Sequence, residues 1–260
     1  MTRRALVLDC DGVLADTELD GHLVAFNRAF EEALLPFRWS TEEYAGLLKI
    51  GGGKERLTAY LDAHQELDLG DEQARAALVR ELHGRKSTAY VELVQAGALP
   101  ARPGIRRLIG EALDAGWLVA VASTSAVPSV EAVLRSAVRP EDYARISGVF
   151  AGDVVPQKKP APDIYLLAAR ELGLGREAIV VVEDSEAGAA AATAAGFRHV
   201  VTVSSFTADD PFPHASVVLT HLGDPDTPAA VRAGTDVLGE GMVTVGSLDR
   251  VLRLPAPAGS

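Results

Sequence analysis

The chain of 260 residues is 48% hydrophobic and 23% charged, which is enough apolar sequence for a sizeable core. Its formal net charge of -11 argues against binding nucleic acid or an anionic membrane through bulk charge, and a single cysteine excludes an internal disulfide. No apolar run is long enough to span a bilayer, so we expect a cytoplasmic protein that makes no membrane contact.

The first predicted element is a short buried strand over residues 4–8, and two carboxylates follow it directly. Asp9 and Asp11 are two residues apart, so they point to the same side if the chain begins to turn at Gly12. A divalent cation would relieve their repulsion, and one carboxylate could attack an electrophile while the other moves a proton. The alternative is an ordinary acidic turn after a strand.

Residues 17–97 are charged and helix-like, with few strand signals. Apolar side chains at helical spacing from His22 to Leu34 predict one helix. Further helices are predicted to begin at Ser40, after the glycines 51–53, and near Asp71. This block predicts a small helical bundle that is inserted after the first strand.

Beyond this block, apolar strands alternate with helices, which predicts a mainly parallel sheet covered by helices on both faces. The predicted strands are 117–122, 148–152, 178–182, 199–203 and 216–219.

The last part of the chain is predicted less regularly, with an edge strand at 242–245, a short helix at 248–252 and a frayed tail at 255–259. The predicted fold is therefore α/β: a Rossmann-like, doubly wound parallel sheet with an inserted helical cap. We expect residues 1–16 and 98–260 to form the core domain, and residues 17–97 to form the cap.

Polar side chains follow several of the predicted strands, and parallel strands carry their carboxyl ends to one edge of the sheet. Oxygen atoms of Asp9, Glu183 and Asp184 are suitable ligands for Mg²⁺. Ser123 could donate a hydrogen bond to a phosphoryl oxygen, and Lys159 could neutralise charge on a transferring group. Taken singly, each has another interpretation: a helix cap for Ser123-Thr124 and for Glu183-Asp184, and a solvated surface for Lys158-Lys159.

In this order, the motifs resemble those of the haloacid dehalogenase superfamily of phosphotransferases, from Leu6 to about Val203. The family pattern DxDGxL matches residues 9–14, its second-motif Ser/Thr matches Ser123, its lysine matches Lys159, and its acidic motif matches residues 182–185.

The resemblance implies roles for these residues. Asp9 would be the nucleophile that forms an aspartyl-phosphate, and Asp11 would protonate the leaving oxygen and then activate water. Mg²⁺ would bind Asp9, the backbone carbonyl of Asp11, and Asp184, with Glu183 bound directly or through water.

A helical insert directly after the first motif is similar to the subgroup of β-phosphoglucomutase and phosphoglycolate phosphatase. Within it, the cap motifs Asp16-Thr17-Glu18, Asp20-Gly21-His22 and residues 47–56 resemble the CbbY family, which removes phosphate from xylulose-1,5-bisphosphate, an inhibitor of Rubisco. The Asp-Gly-His motif resembles the chloroplast and cyanobacterial branch, so the chloroplast stroma is the alternative location for a mature plastid form.

A doubly phosphorylated sugar needs a second anion site. The glycines 51–53, which include Gly52 and Gly53, open a helix beside Lys54 and Arg56, a combination suited to bind phosphate. Glu18, His22 and Tyr44 are predicted to hold sugar hydroxyls. The glycines could instead form a simple turn, and His22 and Tyr44 could be packing residues.

The predicted function is thus a Mg²⁺-dependent sugar-phosphate phosphatase, with Ser123, Thr124 and Lys159 also contacting the substrate, acting as a monomer. Three alternatives remain: a phosphosugar mutase, a phosphatase for phosphoglycolate or another monophosphate, and a non-catalytic regulator that binds sugar phosphate.

Overall fold

A central sheet of seven strands organises the molecule, and its order is β3-β2-β1-β4-β5-β6-β7. The computed structural model describes residues 3–64, 67 and 69–257. The strands are β1 Ala5–Leu8, β2 Leu118–Ser123, β3 Gly148–Ala151, β4 Ile179–Glu183, β5 Arg198–Thr202, β6 Val217–Leu219 and β7 Val231–Gly234.

The six strands from β3 to β6 in this order pair in parallel, and β7 alone is antiparallel, on β6. Leu8 is in register with Val121 on one side and with Val182 on the other. The residues after Leu8 therefore lie between the ends of β2 and β4, which is the edge where the sequence places its polar clusters.

Helices cover both faces of this sheet, as the sequence predicts for a doubly wound fold. α5, α6 and α10 pack with Leu6, Leu8 and Val121 on one face, whereas α8 and α9 pack with Val7 and Val181 on the other. The helices are a π-helix at Glu18–Leu23, α1 Val24–Glu32, α2 Thr41–Leu47, α3 Gly53–Ala63, α4 Glu72–Gln95, α5 Ile105–Asp114, α6 Val127–Ala137, α7 Pro140–Tyr143, α8 Asp163–Leu172, a 3₁₀ turn at Arg176–Ala178, α9 Glu186–Ala194 and α10 Val245–Arg253.

The α-helices α1–α4 lie between β1 and β2 in the chain and have an aromatic core of their own. Phe26, Phe30, Trp39 and Tyr44 are fully or almost fully buried in it, and the ring centroids of Phe26 and Trp39 are 4.8 Å apart. We refer to this helical block as the cap; its exact limits at residues 17 and 97 stay a prediction.

Two expectations about single elements are wrong. The edge strand is β7 rather than residues 242–245, because Val245 already begins α10, whose first turn is closed by a capping box between Thr244 and Ser247. α1 ends at Glu32, two residues before the predicted position. Leu34 is 91% exposed and has a positive φ of 55°, so it lies outside the helix although it continues the helical spacing of apolar residues. The predicted tail falls partly on residues 258–260, which lie outside the described part of the chain.

The segment that returns from the cap to the sheet is anchored by Arg102. Its Nη1 donates to the carbonyl oxygens of Gly12 and of Thr202, the latter at 3.0 Å, and its Nη2 donates to Val203 at 2.5 Å and to Thr220 at 2.8 Å. One half-buried guanidinium thus joins the loop after β1 to the chain at the ends of β5 and β6.

Candidate active site

The site lies at the carboxyl edge of three neighbouring strands, β2, β1 and β4. Asp9 follows β1, Ser123 ends β2, and Glu183 ends β4 with Asp184 next in the chain. All four are at most 7% exposed. Because β1 lies between β2 and β4, these polar groups come together from three distant parts of the sequence.

Lys159 supplies the positive charge at the centre of this group. Its Nζ atom lies 2.6 Å from Oδ1 of Asp9, 2.6 Å from Oε1 of Glu183 and 3.0 Å from the carbonyl oxygen of Ala122. Both ion pairs are buried. Removal of the Lys159 ammonium would therefore leave the carboxyl groups of Asp9 and Glu183 buried without a compensating positive charge.

Three buried carboxylates, those of Asp9, Glu183 and Asp184, offer oxygen atoms that lie within 4.8 Å of one another. Burial raises the pKa of Asp9 to about 8, with Glu183 and Asp11 adding to the rise and Lys159 opposing it. Burial and the charges of Asp9 and Glu183 likewise raise the pKa of Asp184 well above its usual value. A single lysine among three carboxylates leaves excess negative charge, so this set of hard oxygen donors fits a divalent cation.

The two oxygens of Glu183 are already engaged with the protein. Oε1 accepts from Lys159 and from the Tyr165 hydroxyl, and Oε2 lies 3.1 Å from the backbone N–H of Asp184. Asp9 and Asp184 therefore have more freedom than Glu183 to contact a cation directly.

The carboxylate of Asp184 is held by groups on both sides. Its Oδ2 accepts from the buried Ser204 hydroxyl at 2.6 Å. On the other side it lies against Gly12, which has a φ of +74° and where an added Cβ would overlap the Asp184 carboxylate. Gly12 is thus required for two reasons. Its positive φ favours glycine, and a side chain at this position would collide with the Asp184 carboxylate.

The carboxylate of Asp11 is held by hydrogen bonds from both the cap and the core. Its Oδ1 accepts from the Thr17 hydroxyl at 2.6 Å and lies 2.8 Å from Nε2 of His22, and its Oδ2 accepts from the Ser125 hydroxyl. Burial alone would raise the pKa of Asp11, but His22 and the three hydrogen bonds outweigh it and hold this pKa well below its usual range. The carboxylate form of Asp11 is the favoured one in this arrangement.

His22 connects Asp11 to a buried lysine of α4. The Nζ of Lys86 lies 2.8 Å from Nδ1 of His22, and the His22 ring stacks on Tyr90 with centroids 4.2 Å apart. Only one hydrogen can lie between Nζ and Nδ1, so the Lys86–His22 pair carries one positive charge rather than two. Burial lowers the pKa of Lys86 to about 8.

Three other predicted cap residues form one hydrogen-bonded group. Tyr44 donates its hydroxyl hydrogen to Glu18, and Arg56 donates to the Tyr44 hydroxyl at 2.9 Å. Glu18 and Arg56 line the cavity, whereas Tyr44 lies behind them and is fully buried. The structure thus places Tyr44 as a support for Glu18, and direct contact of Tyr44 with a sugar stays a prediction.

Gly52 and Gly53 also line the cavity, but the side chain of Lys54 does not. The Nζ of Lys54 lies 2.5 Å from Asp153, and Lys158 bridges Asp153 at 3.0 Å and Glu55 at 2.5 Å. Lys54 therefore belongs to an ion-pair network between the cap and the loop after β3.

Ser123 and Thr124 both line the cavity, as expected for groups that contact a substrate. The Ser123 Oγ accepts from the backbone N–H of Ser125 at 3.1 Å, which closes the turn after β2. Besides the predicted His22, the direct partners of Asp11 and Asp184 are Thr17, Ser125 and Ser204, and sequence reasoning missed these three. Thr17 and Ser125 flank predicted site residues, so adjacency was a usable signal, whereas nothing in the sequence marks Ser204.

A cavity of about 520 Å³ joins the strand ends to the cap. It is lined from the core by Asp9, Asp11, Lys159 and Asp184, and from the cap by residues such as Glu18. A small, charged molecule bound here would contact both parts of the chain. Each helix within residues 3–64, 67 and 69–257 is too short or too polar to span a lipid bilayer.

Comparison with known proteins identifies relatives of this arrangement. A family model for haloacid dehalogenase-like hydrolases matches residues 3–196. A CbbY-like protein of Arabidopsis thaliana is 47% identical over 223 residues, which cover 85% of this chain and 70% of that protein. A plasmid-encoded CbbY protein of Cupriavidus necator is 43% identical over 229 residues, covering 86% of this chain and 88% of that protein.

Solved structures give the same result. CbbY from Rhodobacter sphaeroides in complex with phosphate superposes with a TM-score of 0.76 at 39% identity, covering 85% of this chain and 95% of that chain. A mutant of that protein crystallised with xylulose-(1,5)bisphosphate has a TM-score of 0.76 at 38% identity, with the same coverage of 85% and 95%.

Proposed function

The chain belongs to the haloacid dehalogenase-like hydrolases and is a phosphatase, and we propose that it hydrolyses xylulose-1,5-bisphosphate to xylulose 5-phosphate and phosphate with Mg²⁺ as its cofactor. The observation that carries the proposal is a cavity in which Asp9 and Asp11 face cap residues. A solved relative of this chain was crystallised in complex with this bisphosphate.

The reaction would begin at Asp9. A carboxylate oxygen of Asp9 attacks the phosphorus at C1, a bond forms between them, and the bond from phosphorus to the sugar oxygen breaks. Lys159, 2.6 Å from Asp9, holds this carboxylate and neutralises negative charge beside the reacting group. Water then attacks the aspartyl-phosphate, which releases phosphate and restores Asp9.

Asp11 would move the protons in both steps. Donation to the leaving sugar oxygen needs Asp11 in its protonated form, whereas activation of water needs the carboxylate. The hydrogen bonds from Thr17, His22 and Ser125 favour the carboxylate, which is the form ready for the second step. The Lys86–His22 pair next to Asp11 holds a proton that can compensate the charge when Asp11 changes state.

Mg²⁺ would be held by Asp9 and Asp184, with the Asp11 carbonyl and Glu183 as the remaining predicted partners, and would offset the negative charge of the phosphoryl oxygens. This site fits Mg²⁺ because its donors are buried carboxylate oxygens, and because one lysine does not balance the charge of three carboxylates. The cap residues Glu18, His22 and Arg56, and the glycines 51–53, are proposed to bind the rest of the sugar phosphate.

Release of inorganic phosphate from xylulose-1,5-bisphosphate, with Mg²⁺ and with EDTA, tests the proposal. We expect release with Mg²⁺, loss of turnover in EDTA, and loss of turnover in Asp9→Asn. Formation of an isomeric sugar phosphate without phosphate release would instead identify a mutase. Faster hydrolysis of phosphoglycolate than of the bisphosphate would identify a monophosphate phosphatase.

A further inference from the structure

Four cationic side chains line the cavity, and their partners differ in a way that bears on the substrate. A phosphorylated ligand is attracted most by a cation that has no carboxylate or carbonyl partner already. The four lining cations are Lys49, Arg56, Lys86 and Lys159.

Three of these cations are engaged with protein groups. Arg56 donates to the Leu47 carbonyl at 3.1 Å and to the Tyr44 hydroxyl at 2.9 Å. Lys86 contacts His22 at 2.8 Å, and Lys159 lies between two carboxylates. Lys159 has all three ammonium hydrogens taken, whereas Arg56 and Lys86 keep some N–H groups but are already held by partners in the protein.

Lys49 is different. It follows α2 on the cap, is exposed, and lines the cavity. Within residues 3–64, 67 and 69–257, no hydrogen bond or ion pair is formed by its ammonium group. Lys54, the other lysine of this stretch, is paired with Asp153 outside the cavity lining. Among the described residues, Lys49 is therefore the cavity-lining cation for which no partner in the protein is seen.

On the core side, Asp210 belongs to the segment after β5 and also lines the cavity. Burial and Glu186 raise the pKa of Asp210, and the charge of Lys49 opposes that rise, so the two side chains are within electrostatic reach across the cavity. Within the described residues the two side chains form no ion pair, so the ammonium hydrogens of Lys49 are available to an anion in the cavity.

We propose that Lys49 binds the second, non-reacting phosphate of the substrate, and that Asp210 repels this phosphate and so limits its affinity. The inference rests on the proposed function, because it assigns the end of the bisphosphate that does not reach Asp9. A phosphate carries more negative charge than the Asp210 carboxylate, so it competes successfully for Lys49. A sugar phosphorylated only at C1 would leave Lys49 facing Asp210.

The test compares two substrates that share the reacting phosphate: xylulose-1,5-bisphosphate and xylulose 1-phosphate. In Lys49→Gln we expect kcat/KM for the bisphosphate to fall about 10- to 100-fold, as for loss of a charged hydrogen bond, and that for the 1-phosphate to change less than about twofold. Lys49→Arg should restore most of the loss. Asp210→Asn should raise kcat/KM for the bisphosphate about two- to fivefold, because a repelling charge is removed.

Arg80→Gln is the matched control, since it removes one positive charge from an exposed position of α4 that does not line the cavity. Binding measured by calorimetry in the Asp9→Asn background gives a readout that is independent of turnover, and Lys49→Gln should raise Kd there as well.

The inference would be overturned if Lys49→Gln lowered kcat/KM equally for both substrates or for neither. It would also be overturned if Arg80→Gln lowered kcat/KM for the bisphosphate by the same factor as Lys49→Gln. A fall in Asp210→Asn would overturn the role of that carboxylate. A higher kcat/KM of the wild-type enzyme for xylulose 1-phosphate than for the bisphosphate would instead refute the proposed substrate. This measurement uses no Lys49 variant, so it tests the proposed function separately from the role of Lys49.

Discussion

The Nε2 atom of His22 on the cap lies 2.8 Å from Oδ1 of Asp11 on the core, so a residue of the cap sets the charge state of a residue at the reaction centre. Thr17 and Ser125 complete the set of donors around Asp11. The environment that determines when Asp11 can accept or donate a proton is thus shared between the two parts of the chain.

His22→Ala should therefore move the pH dependence of hydrolysis. Removing His22 takes away a donor that lowers the pKa of Asp11, so this pKa rises and the Asp11 carboxylate is lost at a higher pH than in the wild type. We expect the acid limb of kcat for p-nitrophenyl phosphate, measured where hydrolysis of the aspartyl-phosphate limits turnover, to shift upward by about one pH unit. His214→Ala, at an exposed position, is the control, and an unshifted acid limb in His22→Ala would contradict the assignment.

Asp9→Asn should stabilise the metal-free protein near neutral pH while abolishing turnover. The pKa of Asp9 is about 8 in the folded state against 3.8 for an ordinary Asp, so between these values the folded state binds more protons than the unfolded state. Stability contributed by Asp9 is complete below pH 4 and is lost as the pH rises toward 8. We expect the free energy of unfolding of Asp9→Asn to exceed that of the wild type by about 1–3 kcal/mol at pH 7 in EDTA.

Urea unfolding at several pH values checks this prediction. The difference between Asp9→Asn and wild type should grow from pH 5 to pH 8 and shrink when Mg²⁺ is added to the wild type. A difference that does not depend on pH would mean that the Asp9 carboxyl group does not titrate in this range.

Lys159 and its neighbour Lys158 should differ sharply when each is replaced by Met. Lys159→Met leaves Asp9 and Glu183 buried without their common cation, and we expect a loss of about 3–5 kcal/mol in the free energy of unfolding. Lys158→Met removes pairs to the more exposed Glu55 and Asp153, worth no more than about 1 kcal/mol. Urea unfolding in EDTA measures both, and equal losses would contradict the central role of Lys159.

Two helical glycines form another matched pair. A Cβ at Gly188 in α9 would overlap the carboxyl group of Glu183, so Gly188→Ala should cost about 1–3 kcal/mol and reduce turnover. Gly84 in α4 is exposed, with no atom within 4 Å of an added Cβ, so Gly84→Ala should gain about 0.5–1 kcal/mol. Thermal unfolding and phosphate release separate the two effects, and a neutral Gly188→Ala would show that α9 can shift away from Glu183.

Much of the sheet and the reaction centre could be predicted from sequence because strand patterns and motif positions are local signals. The apolar runs that end at Leu8, Ser123 and Glu183 identify strands directly, and parallel pairing brings their ends together. The order of the strands was not predicted; the structure shows that β1 lies between β2 and β4, which brings the acidic and serine motifs to one cavity.

Other features depend on contacts that no local pattern encodes. Ser204 reaches Asp184 from a loop 20 residues away, and Lys86 reaches His22 from a helix 64 residues away. Lys54 looks equivalent to Lys49 in sequence, yet its pairing with Asp153 turns it out of the cavity. The edge strand β7 was missed because its residues Val231–Gly234 are largely exposed and have no alternation of apolar and polar side chains.

Arg102 has a consequence for how such a protein can acquire new substrates. Its four carbonyl contacts fix the point where the chain re-enters the core, independently of the helices that precede it. A chimaera carrying a different helical insert between Asp16 and Arg102 should therefore keep Asp9 and Asp184 in position. The exchange would replace Thr17 and His22, two of the donors to Asp11, together with Lys49, so substrate selectivity and the pKa of Asp11 would change at the same time.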